Sequence, residues 1–517
     1  VSVIDMFDRG WRMGGHRIAY VSERGTWTYD EAGELSCRIA HALLDTDLPA
    51  QAKIGVIAPN DPLAWIAVLG TWRAGMVWVP LNPSSSQDVL ADLIDSFDCT
   101  VLFVHSTMIS IVSRIRALGK VRLVVCIDAP LGDEPSLIDW CSEKPKTAPP
   151  IHVRPDDVVS ISATGGTTGR PKGVVNTHRS FGVTFAHFML GLTYDADEPV
   201  VNLAAAPLTH SAGMLSLPVS ARGGTVVVIE RAEPRAVLSA IERFSVTEVF
   251  LPPTVIYRLL EVVEEKHYRL ESLRYLIYGA APMSEEKLRR AIEVFGPILI
   301  EFYGQTEAFG AISFLRPEEH LVDGRLRTDG ILASCGRPGP LVNVEIRDDK
   351  GNPLPVGRSG EVCVAGDLVM EGYYREPAKT AETVVEGWLH TGDIGHLDNA
   401  GYLYITDRKK DMIITGGLNV YPSEVEQVLW SDPAIQDCAV VGVPHEDWGE
   451  QVVAVVELNE GAALDRQALI RRCKDKLGSY KAPKRIDVVD RLPRSSNGKV
   501  LKKDVRESYW SDSAQRI

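Results

Sequence analysis

The chain has 517 residues, 45% of them hydrophobic and 24% charged, and 55 Lys and Arg against 69 Asp and Glu give a net charge of −14. That balance argues against nucleic acid as a partner, so an anionic ligand needs its own cradle of amides or cations. The length excludes one small domain, and the longest apolar stretch, 63–72, falls far short of the roughly 20 residues that span a bilayer.

Taken in chain order, 53–58 reads as a strand and 61–74 as a helix, followed by a helix at 88–98 and strands at 100–104 and 121–127. The alternation resumes with strands at 224–230, 247–253, 273–279 and 297–304, separated by helices near 234–243 and 284–295. Short apolar strands alternating with amphipathic helices imply an α/β fold with largely parallel sheets covered on both faces, and ligands are expected at the strand ends. After about residue 335 the pattern changes to antiparallel strands, 342–355 and 359–366, turning at Asp349-Lys350-Gly351-Asn352. The charged run 407–411 introduces a smaller α+β unit. Ser423 and Glu426 have capping-box spacing for a helix at 424–430. Strands follow at 437–443 and 451–457, then a helix at 465–477 with a stripe of Leu469, Ile470, Cys473 and Leu477, ended by Gly478. A boundary is expected at Lys410, giving domains 1–409 and 410–517. The eight cysteines show no Cys-x-x-Cys or zinc-like spacing and read as buried thiols in a reducing compartment, in keeping with a cytoplasmic enzyme.

The segment 163–173, ATGGTTGRPKG, fits neither helix nor strand. Its glycines let backbone amides approach an anion, its threonines add donors and Lys172 adds a mobile positive charge, which together describe a polyphosphate cradle. It has neither the Walker Gly-Lys-Ser/Thr ending nor the dinucleotide G-x-G-x-x-G spacing.

This segment resembles the phosphate-loop signature of the adenylate-forming superfamily of acyl-CoA synthetases, adenylation domains and luciferases. The resemblance continues through AGMVWVPLNP (74–83), YGQTEA (303–308), HTGDIG (390–395), DRKKDMIITGGLNVYPSEVE (407–426) and PRSSNGKVLKK (493–503), in the family's order. It implies a large N-terminal domain of parallel α/β sheets with a small antiparallel β subdomain, then a small mobile C-terminal domain. It implies ATP, Mg²⁺ and coenzyme A as cofactors and a small carboxylic acid as substrate, with no membrane-spanning segment. Self-association is left open.

By the same resemblance, Thr164, Gly165, Gly166, Thr167, Thr168, Gly169 and Lys172 hold the β- and γ-phosphates. Thr306 contacts the α-phosphate, beside Gly304. Glu307, with Thr168, ligates magnesium. Gly279, Ala280 and Ala281 lie against adenine, Tyr303 stacks on its other face, and Glu301 meets its exocyclic amine. Asp393, assisted by Arg408, accepts the ribose hydroxyls. Lys499 stabilises the adenylation transition state, Lys410 is the hinge, and Gly416 and Gly417 line the thiol's path. His210 lies beside the bound carboxylate, and Met214, Tyr278, Phe302 and Phe309 stand at acyl-pocket positions, where Tyr278 is expected to narrow a straight tunnel. The implied activity is AMP-forming ligation of a fatty (medium- or long-chain) or aromatic acid to CoA through an acyl-adenylate. Delivery to a carrier protein is the alternative. A luciferase-like oxygenase shares the motifs, and a silent nucleotide sensor is disfavoured by intact Glu307, Asp393, Arg408 and Lys499.

Overall fold

A computed structural model of the protein describes residues 2–130, 132, 135–164, 172–208, 211–266, 268–445, 447–495 and 499–513. Among these, two large sheets face each other across one core. The first runs, edge to edge, Gly372–Tyr373, Gly173–Thr177, Val158–Ala163, Val77–Leu81, Lys53–Ile57, Cys99–Val104 and Leu123–Cys126. Its last five strands are parallel, while Gly173–Thr177 folds back antiparallel on Val158–Ala163. The second sheet is parallel from Leu299–Gln305 through Tyr275–Gly279, Glu248–Phe250, Val201–Ala204 and Thr225–Val228 to Ile18–Ser22, with antiparallel strands at both edges.

The helices Tyr29–Leu44, Pro62–Arg73 and His178–Gly191 lie in the layer between the sheets. Pro62–Arg73 is apolar nearly all round, as a helix sandwiched between sheets must be. Asp61 starts it by accepting the Leu63 amide, and Trp65, Trp72 and Trp78 lock edge to face at 5.5–5.8 Å. Helices Pro234–Phe244, Pro253–Val262 and Glu285–Phe295 cover the opposite face of the second sheet.

The strand read at 247–253 stops at Phe250, because Pro252 and Pro253 open a helix whose first turn needs no amide from Pro253. The antiparallel subdomain centres on Asn343–Arg347, Gly360–Ala365, Trp388–Leu397 and Leu403–Arg408. The C-terminal sheet joins Leu418–Val420, Ile413–Thr415, Gly449–Leu458, Ile435–His445 and Arg485–Val489 over its own core.

The expected capping box at Ser423 does not form. The helix begins at Pro422 without a side-chain cap, the Ser423 hydroxyl donates to the Thr406 carbonyl, and buried Glu426 pairs with Lys502 at 2.8 Å. All eight cysteines are free and buried. Among the described residues no helix is long and apolar enough to cross a membrane.

Candidate active site

The glycine-rich segment hangs between the antiparallel strands Val158–Ala163 and Gly173–Thr177, and the Thr164 amide donates to the Lys172 carbonyl at 2.9 Å to close its neck. Gly165, Gly166, Thr167, Thr168 and Gly169 lie outside the described residues. Lys172 Nζ stands 4.4 Å from the ring centroid of Tyr373, a cation–π contact. The Tyr373 hydroxyl donates to Glu307 Oε1 at 2.8 Å. One ring therefore gathers the phosphate-loop lysine and the expected metal ligand. Tyr373 arrives there because Gly372–Tyr373 pairs with Gly173–Thr177, setting it opposite Val174. Thr306 and Glu307 occupy the tight turn between Leu299–Gln305 and Ala308–Leu315. Gly304 makes that turn possible, since a Cβ there would lie 2.9 Å from the Gly310 carbonyl carbon. A single carboxylate suits magnesium, which takes most of its oxygen ligands from phosphates and water.

Asp393 and Arg408 face each other on adjacent antiparallel strands. Arg408 Nε meets Asp393 Oδ1 at 2.6 Å, and the Tyr303 hydroxyl donates to Oδ2 at 2.6 Å. Asp393 is 3% exposed, so its carboxylate is oriented by fixed donors, and each oxygen retains capacity for a further donor such as a ribose hydroxyl. Glu361 steadies the same turn, accepting from the Gly392 amide at 3.1 Å and pairing with Lys409 at 3.3 Å.

The Tyr275–Gly279 strand ends in Gly279-Ala280-Ala281. A Cβ on Gly279 would strike the Phe302 carbonyl, and Ala280 sits at φ +65°, a left-handed conformation that non-glycine residues adopt at a cost. Glu301 lies alongside, accepting from the Tyr278 hydroxyl at 3.2 Å. Burial pushes its carboxyl up to about 8, against the lowering effect of Tyr278. A protonated carboxyl offers one donor and one acceptor, which matches the edge of adenine.

The C-terminal domain brings Lys499 to this cluster. Burial of the ammonium, then the charge of Arg408, lowers its pKa to about 8, while Asp393 acts in the opposite sense. The residue as a whole nonetheless keeps solvent access. Lys410 sits in the short turn Lys409–Asp411 and lines a cleft of about 320 Å³ with Gly392, Arg408 and Lys409. Burial lowers the pKa of Lys410. Gly416 and Gly417, at φ +56° and +78°, make the tip of the Ile413–Val420 hairpin. Gly416 donates its amide to the Trp448 carbonyl at 2.9 Å.

Met214, Phe302 and Phe309 share the core between the sheets. Phe302 packs on Phe188 at 5.0 Å and Phe314 at 5.6 Å, and Phe309 packs on Phe181 at 5.6 Å. Tyr278 does not join them. Its register partner is Glu301 rather than Phe302, so its ring lies on the opposite face of the sheet. The expectation that Tyr278 narrows an acyl tunnel loses its footing. His210 lies outside the described residues, but the segment before it is pinned by Asn60. That side chain donates to the Ala204 and Ile229 carbonyls and accepts the Leu208 amide, each at 2.9 Å. Sequence reasoning passed over Tyr373, Glu361 and Asn60. The pairing of Gly372–Tyr373 with the phosphate-loop hairpin would have pointed to Tyr373, but nothing local in the sequence reveals that pairing.

Known proteins resemble the chain over most of its length. The AMP-binding enzyme family model matches residues 7–374, and the AMP-binding enzyme C-terminal domain matches 424–499. The chain is 39% identical over 370 residues to a medium/long-chain-fatty-acid–CoA ligase, FadD8, of Mycobacterium tuberculosis, a match covering 70% of this chain and 63% of that relative. It is 34% identical over 500 residues to a feruloyl-CoA synthase of an Amycolatopsis species, covering 96% of this chain and 97% of the relative. The amide bond synthetase McbA of Marinactinospora thermotolerans superposes with a TM-score of 0.88 at 31% identity, covering 98% of this chain and all of the other. The chain belongs to the AMP-binding enzyme family, within the adenylate-forming superfamily that includes the AMP-forming acyl-CoA synthetases.

Proposed function

We propose that the protein is an acid–thiol ligase that activates an apolar carboxylic acid, fatty or aromatic, with ATP and passes the acyl group to coenzyme A. The observation that carries this reading is that Lys499, from the C-terminal domain, stands within electrostatic reach of the paired Asp393 and Arg408 of the large domain, where Tyr373 also links Lys172 to Glu307.

In the first half-reaction a carboxylate oxygen attacks the α-phosphorus and pyrophosphate leaves with the electron pair. This chemistry depends on alignment and charge stabilisation more than on covalent help from the protein. Thr164, Lys172 and the intervening glycine-rich segment hold the departing phosphates, and Thr306 holds the α-phosphate. Glu307 would hold magnesium, whose charge offsets that of the phosphates. Asp393, oriented by Tyr303 and Arg408, fixes the ribose and so the direction of attack. Lys499 donates to the oxygens on which charge accumulates. The apolar walls around Met214, Phe302 and Phe309 take the acid's hydrocarbon part.

In the second half-reaction the thiolate of coenzyme A attacks the acyl carbonyl and AMP departs. We assign the pivot to Lys410, withdrawing Lys499 and bringing forward the Gly416-Gly417 tip. The exposed Trp448 indole beside that tip offers an apolar flank for the pantetheine arm. The test is pyrophosphate release over a panel of fatty and aromatic acids with ATP and Mg²⁺, with free thiol followed when CoA is added. Acid-dependent release with loss of CoA thiol is expected. No release with any acid overturns the reading, and release without thiol loss moves the acceptor to a carrier protein or an amine.

A further inference from the structure

Lys287 occupies the third position of the helix Glu285–Phe295. A cation there faces the positive end of the helix dipole, so helix stability does not account for it. Its ammonium bridges the two domains. Nζ donates to the Gln436 carbonyl of the C-terminal domain at 2.9 Å and stands 4.0 Å from the centroid of the Tyr257 ring. Tyr257 is fixed in turn, its hydroxyl oxygen accepting the Ser284 amide at 3.3 Å.

The far side of this contact leads to the lysine loop. Asp437, next to Gln436, is buried, accepts from the Trp430 indole at 3.1 Å and pairs with Arg494 at 2.8 Å. Arg494 also pairs with Glu457 at 3.0 Å and opens the turn that carries Lys499, bridging Val500 across it. The Ser495 amide donates to the Lys499 carbonyl at 2.8 Å. The near side leads to the adenine loop, because Ser284, the helix cap, stands three residues beyond Ala281.

We infer that Lys287 is a positioning residue for adenylation: it seats the Gln436–Asp437 strand, and through Arg494 the Lys499 turn, against the large domain. This rests on the two-step reading above, in which the C-terminal domain must leave this seat before thioester formation. The contact belongs to one orientation only, so it favours the first half-reaction and gives nothing to the second.

The experiment compares wild type, Lys287→Met and Lys287→Arg in acid-dependent ATP–pyrophosphate exchange and in transfer from a synthetic acyl-adenylate to CoA. Methionine keeps the aliphatic stem on Tyr257 and removes the charge. Lys287→Met should lower the exchange kcat about tenfold, the scale of one charge-assisted hydrogen bond, with KM for ATP changed by less than about twofold. Its transfer rate should be undiminished, and Lys287→Arg should recover most of the exchange. Trypsin cleavage at Lys409 and Lys410 should quicken in Lys287→Met, because the C-terminal domain leaves its seat more often. Exchange equal to wild type, an equal loss in both half-reactions, or unchanged cleavage would each overturn the inference. Absence of exchange in wild type itself, with every acid tried, would instead overturn the functional reading beneath it.

Discussion

The two sides of the cleft are built differently. On the large-domain side the functional groups are held in two braced sets: Arg408 and Tyr303 hold Asp393, while Tyr373 holds Glu307 and Lys172 lies over the same tyrosine. On the C-terminal side Lys499 is carried on a turn whose anchor, Arg494 on Asp437 and Glu457, lies several residues away. The acceptors are cross-braced, whereas the lysine is carried at a distance from its anchor. This is the division that the proposed two-orientation reaction needs.

The comparison can be broken most sharply at Lys499. Lys499→Ala should lower adenylation by about 10²–10³ and leave transfer from preformed acyl-adenylate intact, so equal losses in the two half-reactions would erase the distinction between the sides. On the braced side, Tyr373→Phe should raise the Mg²⁺ concentration for half-maximal pyrophosphate release about tenfold, the effect of unfastening the proposed metal ligand Glu307 from its support. An unchanged Mg²⁺ titration would mean the brace is idle.

The pH profile is a finer probe. Lys499 has its pKa lowered to about 8, so its charge is present below that pH and lost above it. Adenylation kcat/KM should be level up to about pH 8 and then fall, since that ratio reports the free enzyme. Glu301, raised to about 8, ionises over the same range. Lys499→Arg should therefore shift the falling limb upward and Glu301→Gln should not. The smallest effect is expected of Glu301→Gln at neutral pH, where it imitates the protonated acid and KM for ATP should move by less than about threefold. A large rise in KM would require an ionised Glu301 at that pH.

Much of this arrangement is legible in the sequence because it is local. The helices at 61–74 and 284–295 carry their own caps in Asp61 and Ser284, and the antiparallel turn after Arg347 is closed by Asp348 accepting the Lys350 and Asn352 amides. What escapes is set by partners far along the chain. Ser423 looks like a cap until the Thr406 carbonyl claims its hydroxyl, and Glu426 looks like its box partner until Lys502 claims the carboxylate. Tyr278 looks like a pocket wall until the register of its strand puts Glu301, not Phe302, beside it. Parity along one strand says which residues share a face, but only pairing with the neighbour says which face meets the ligand.

The hairpin mounting of the glycine-rich segment has one more consequence. The next helix, His178–Gly191, starts only after the five-residue strand Gly173–Thr177, roughly 17 Å of extended chain at about 3.3 Å per residue. A macrodipole fades within its first turn, so an anion at the loop feels none from that helix, unlike one seated on a strand-to-helix P-loop. In the proposed reaction that helix therefore adds nothing to the hold on pyrophosphate, and the described cation beside the segment is Lys172, placed over the Tyr373 ring.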